Sequence, residues 1–120
     1  MKEAIVEKAR ELGRLMAQTQ EYQALQQANR RLGEDEDAKD MVERLAKSQQ
    51  KILSYLDQGE QPPQELRQKY ETAFESAQGH PAYQSLVAAQ ANFDKVMQKI
   101  NEEIAKGVEA GDKSRIIIPD

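Results

Sequence analysis

Apolar residues recur along this chain at steps of three and four, separated by charged and amide side chains. That spacing puts them on one face of a helix. Ile5, Ala9, Leu12 and Met16, with Leu15 beside them, predict a first helix over about Lys2 to Gln18. Thr19 is suited to cap a second segment whose face is Tyr22, Leu25, Ala28 and Leu32; one helix running through Thr19 is the alternative. Gly33 is expected to stop that segment. The acidic run Glu34-Asp35-Glu36-Asp37 should open a third helix, because carboxylates cap free N–H groups and favour the positive end of the helix dipole. The third helix spans about Glu36 to Asp57, with Ala38, Val42, Leu45, Gln49, Ile52 and Leu56 in line. From Val42 onward this is a heptad seam with one polar member, Gln49.

The strongest interruption is Gly59-Glu60-Gln61-Pro62-Pro63, almost at the midpoint. Gly takes backbone angles that no helix uses, and Pro lacks the N–H a helix interior needs, so the chain turns back here. Pro63 suits the first position of a fourth helix with the face Leu66, Tyr70, Ala73, Phe74 and Ala77, ended by Gly79. His80-Pro81 opens a fifth helix, expected to run to about Lys106. Its seam is Tyr83, Leu86, Gln90, Phe93, Met97, Ile100 and Ile104, a second heptad with one polar member, Gln90. The fifth helix, rather than the fourth, is expected as the antiparallel mate of the third, within the chain or across a dimer. Gly107 and Gly111 are expected to end regular structure, dividing the chain into one helical domain over residues 1–106 and a tail over 107–120.

Composition narrows the picture. The apolar share is 38%, below the roughly 45–50% of globular domains, so the chain can fill narrow interhelical seams but not a thick core. Its abundant Ala, Gln, Glu, Lys, Leu and Arg are good helix formers. Helical periodicity argues against disorder. The expected fold is all-α: an antiparallel helical hairpin or bundle of about five helices, completed by self-association. The net charge of −4, with acids and bases interspersed, offers no one-sided basic face, and no direct nucleic-acid contact is expected. There is no Cys, hence no disulfide, thiolate metal site or cysteine nucleophile. The N-terminus is charged every few residues, unlike a signal peptide or a membrane span.

Candidate chemistry is sparse. His80 is the sole histidine; between Gly79 and Pro81 it reads as a capping or turn residue, with no orienting carboxylate evident nearby in the sequence. Asp35, Asp37 and Asp40 resemble the start of a calcium loop, but Lys39 and Asp40 stand where that pattern needs a ligand and a glycine. No Glu-x-x-His pair and no phosphate-cradling glycine loop occurs. Gln49 and Gln90 either lie at a wetter edge of their seams or hydrogen-bond across them and fix register. Arg30-Arg31 complements a helix C-terminus. Ile116-Ile117-Ile118 is too apolar for a solvated tail and is expected to dock on the chain or on a partner. No catalytic residue, metal or cofactor is assigned.

Several of these landmarks occur together in a known family. Leu12-Gly13 followed by Gln20-Glu21-Tyr22, then Leu32 with Asp35 and Ala38, then Gly59 with Pro62 or Pro63, and the closing Ile100-Asn101 and Ile104 resemble the YlbF/YmcA/YheA family of small helical bacterial proteins. The resemblance covers roughly Ala4 to Lys106. It implies an all-helical, cytoplasmic, self-associating protein with a regulatory role, in a family linked to competence, sporulation and biofilm formation. Two branches of that family join a third protein, affect an RNA-processing endonuclease and carry iron–sulfur clusters through cysteines. The absence of Cys rules out that cluster here and places the chain nearer the YheA-like side.

The expectation is therefore a non-enzymatic cytoplasmic adaptor, a homodimer or higher homo-oligomer, with a protein partner and no membrane attachment. The alternative is an accessory factor of an RNA-processing nuclease complex. The candidate oligomer or partner seam comprises Val42, Leu45, Gln49, Ile52 and Leu56 on the third helix. On the fifth it comprises Leu86, Gln90, Phe93, Met97, Ile100 and Ile104.

Overall fold

A computed structural model describes the backbone of residues 1–117 and the side chains of residues 1–113. Five helices make up the described chain: α1 (Glu3–Ala17), α2 (Gln20–Glu34), α3 (Glu36–Asp57), α4 (Gln64–Gln78) and α5 (Pro81–Ile117). The fold is all-α, with no strand among the described residues.

The helix boundaries follow from local chemistry. Thr19 is extended, and its Oγ1 both accepts from the Tyr22 N–H at 3.2 Å and donates to the Met16 carbonyl at 2.7 Å. This settles the break between α1 and α2 against a continuous helix. Gly33 does not stop α2, which runs one residue further to Glu34; Asp35 then caps α3 by accepting from the Ala38 N–H at 3.1 Å. Gly59, at φ 74°, has the sole positive φ among the described residues. There the Glu60 N–H bonds the Tyr55 carbonyl at 2.9 Å and the Gly59 N–H bonds Leu56 at 3.0 Å, a Schellman closure of α3. Pro63 stands one position earlier than expected, at the N-cap of α4, and Pro81 takes the first position of α5.

The expectation that Gly107 and Gly111 end regular structure is not met, since α5 continues through both to Ile117. A helical Gly costs about 1 kcal/mol relative to Ala. Ion pairs on the same helix, Lys99–Glu103 at 3.2 Å, Lys106–Glu103 at 3.3 Å and Lys113–Glu109 at 3.4 Å, offset part of that cost. The expected docking of Ile116, Ile117 and Ile118 falls outside what is described: Ile118 entirely, the other two in their side chains.

Two antiparallel pairs dominate the packing: α3 on α4, and α2 on α5. Within the chain, the expected pairing of α3 with α5 is corrected, because those helices touch only marginally. The short Gly59–Pro63 connection leaves α4 no choice but to fold back along α3. The N-terminus of α5 is thus delivered to the C-terminal end of α2. Tyr22 and Phe93 meet across the α2/α5 seam with ring centroids 5.5 Å apart. Leu25, Ala28 and Ala89 form its buried centre, with Leu86 and Phe93 against them.

The molecule is long and thin, 63 × 38 × 21 Å, with a radius of gyration of 20.7 Å. A compact chain of this length would have about 14 Å. Its accessible surface is 9733 Å², against about 6,600 Å² for a compact monomer of its mass. The buried hydrophobic residues are Leu25, Ala28, Ala38, Leu45, Ala77, Ala82 and Ala89, mostly alanines, and no large side chain is fully buried. Alanine seams let helices approach closely but remove little apolar area from water.

Candidate interaction surface

The two helix pairs join at a waist where the chain crosses twice, at Asp35 and at Gly79-His80. Ala38 and Ala77, the two most buried residues, lie three positions to either side of these crossings. Asp35 and His80 tie the crossings together. The His80 Nδ1 accepts from the Ala82 N–H at 3.1 Å and so caps α5. The ring proton then sits on Nε2, which faces Asp35 Oδ2 at 3.3 Å. The other Asp35 oxygen, Oδ1, caps α3. Each residue caps one helix and pairs with the other, bridging positions 45 residues apart in the sequence. Both imidazole nitrogens are thus engaged in contacts that hold the waist together. The capping role follows from the Gly-His-Pro context; the partner carboxylate becomes evident only when the chain is folded.

The seam residues divide into two groups. Leu45 is buried, and Val42 and Ile52 are half-buried on α3; Leu86, Phe93 and Ile100 are half-buried on α5. Gln49, Leu56, Gln90, Met97 and Ile104 are exposed. On α3 the covered positions alternate with Ser48 and Tyr55 in place of Gln49 and Leu56. On α5 they alternate with Ala82, Ala89 and Val96 in place of Tyr83, Gln90 and Met97, although Tyr83 is itself half-covered. Each helix thus carries an apolar stripe wider than one partner covers. One flank is used inside the chain and the other faces outward. Among the described residues neither glutamine bonds across a seam: the Gln90 Nε2 donates to Asp94 Oδ1 at 3.0 Å, one turn along the same helix.

Beside the α3/α4 seam runs an open groove of about 620 Å³, lined in part by Met41, Arg44, Lys47, Lys69 and Thr72. Its cations make no ion pair among the described residues. In sequence they are scattered among acids, and only the hairpin places them together. No helix among the described residues is long and apolar enough to cross a membrane.

These features define a class: an elongated all-helical protein of two packed helix pairs, with exposed apolar residues recurring along α3 and α5. The family model for control of the competence regulator ComK, YlbF/YmcA, matches residues 5–109, and the chain belongs to that family. A UPF0342 protein of Staphylococcus saprophyticus is 29% identical over 98 residues, covering 82% of this chain and 86% of that one. Another, from Alkalihalophilus pseudofirmus, is 30% identical over 105 residues, covering 88% and 89%. Among solved structures, Bacillus subtilis RicA, crystallised in complex with RicF, superposes with a TM-score of 0.72 over 92% of this chain and 98% of its own. At 16% identity this likeness is one of fold.

Proposed function

We propose that this chain is a non-enzymatic cytoplasmic adaptor that works as a homo-oligomer through protein–protein contacts, in the regulation of bacterial developmental states. The observation that carries the reading is the outward apolar flank of α3 and α5, where Leu53, Leu56, Val87, Met97 and Ile104 are exposed. Exposed apolar residues that recur along a helix face are the kind of surface a partner helix covers. The family's description, as control of a competence regulator, supports a regulatory role. RicA's complex with RicF is a precedent, on the same fold, for a protein partner. Gln49 and Gln90, at the edge of the outward flank, would then set which copies or partners fit, by demanding a hydrogen bond from whatever covers them.

Light scattering on the purified chain at micromolar concentration tests the oligomer. A mass of at least twice 13.6 kDa is expected. A single-chain mass across the micromolar range overturns the homo-oligomer reading.

A further inference from the structure

The two ends of the chain form arms that the other described residues cover little. α1 has no buried residue, meets α2 only at their junction and does not reach α5. Ile5 is 55% exposed and Leu15 is 62% exposed, on the most amphipathic helix of the fold. At the other terminus, α5 outruns α2. Every described residue from Asn101 to Lys113 is exposed, including Ile104 at 51% and Val108 at 67%. The paired hydrogen bonds at Thr19 fix the break between α1 and α2, and α1 makes no contact with its own α5.

We infer that α1 of one copy packs along the C-terminal part of α5 of a second copy, reciprocally, in a two-fold dimer. This rests on the homo-oligomer reading above and names the segments that make the contact. Two observations favour a second copy as the occupant. The first is length: α1 has 15 residues and α5 has 17 beyond Ile100, so the arms are about 22 and 26 Å long and similar in reach. The second is area. The chain exposes about 3,200 Å² more than a compact monomer of its mass. A standard interface takes about 800 Å² from each partner, so two reciprocal arm contacts fit within the excess. Reciprocity also closes the assembly, since each copy offers one α1 and one α5 end and none is left over.

The absence of cysteine makes the test clean. Ala9→Cys and Val108→Cys, near the middle of each arm, are prepared as separate full-length proteins, mixed under subunit exchange and treated with a short bismaleimide. Covalent dimers should form in the mixture at several times the yield of either variant alone. A mixture of Ala9→Cys with Arg44→Cys, whose thiol lies on the distant α3/α4 hairpin, should give no such excess. In sedimentation, Ile104→Glu should raise the dimer dissociation constant at least about tenfold with unchanged helicity, because a charge then meets an apolar face. A dimer that shows neither the arm-to-arm cross-link nor sensitivity to Ile104→Glu overturns the arm assignment and leaves the homo-oligomer reading standing. A chain that sediments as a monomer overturns both.

Discussion

Replacing His80 with Ala removes two bonds at once: the Nδ1 acceptor 3.1 Å from the Ala82 N–H and the Nε2 contact 3.3 Å from Asp35. Loss of an N-cap typically costs about 1 kcal/mol. The two side chains are 21% and 40% exposed, so their pairing belongs near the surface-pair range, about 0.5–1 kcal/mol. His80→Ala should therefore destabilise the fold by about 1.5–2 kcal/mol, a sizeable share of a domain's stability of about 5–15 kcal/mol. Asp35→Ala should cost a similar amount, because it also uncaps α3 at Ala38. The double variant should cost less than the sum by about 0.5–1 kcal/mol, since the shared contact can be lost only once. His80→Asn separates the two roles: Asn is a good N-cap and should recover most of the capping share but not the tie to Asp35. Urea unfolding followed by far-ultraviolet circular dichroism measures all four proteins. One fixed protein concentration is needed, because oligomer stability varies with it. Costs that add to within about 0.3 kcal/mol would mean that Asp35 and His80 cap their helices independently, and the tied waist would be refuted.

Gly59→Ala should destabilise by about 1–2 kcal/mol, because a Cβ is strained at this left-handed position; space is not the cause, since nothing lies within 4 Å of where that Cβ would be. The same unfolding experiment checks it, and an unchanged midpoint would contradict the assigned φ of 74°. The Glu103 carboxyl is held below its ordinary 4.5 by hydrogen bonds from Lys99 and Lys106, aided by the charge of Lys99. The folded form thus favours the ionised carboxylate, so its small contribution is present above pH 4.5 and fades as pH falls through the lower folded value. Carbon-detected NMR titration should show the depressed midpoint, returning to the ordinary value when Lys99 and Lys106 are both changed to Met.

Much of the fold was legible because helices obey local rules. The α3 boundaries, the break at Thr19, the turn at Gly59 and the start of α5 at Pro81 all rest on residues that cap, stop or pre-set a helix within one turn. The stops expected at Gly33, Gly107 and Gly111 failed because a local rule was read too strictly. A glycine such as Gly107 weakens a helix without ending it when neighbouring ion pairs hold both sides. The seams were half legible. Val42, Leu45, Ile52, Leu86, Phe93 and Ile100 are common to the expected and the covered stripes, but the heptad register put Gln49 and Leu56 where Ser48 and Tyr55 are covered. The contact with α4 uses that neighbouring flank of α3. The Asp35–His80 tie gave no sign in either residue's neighbourhood, since its partners come from opposite halves of the chain.

Taken alone, the sequence determined the helices, the reversal at Gly59–Pro63 and a composition too poor in apolar residues to make a thick core. These are properties of individual residues and their near neighbours. Only the tertiary structure decided that α3 lies on α4 and α2 on α5. It also decided which flank of each stripe is spent inside the chain, and that α1 and the end of α5 are left as uncovered arms. Those outcomes depend on helix lengths, crossing angles and the order in which short connections deliver each helix to the next. A wide apolar stripe offers several equivalent partners, and helical periodicity alone does not distinguish among them.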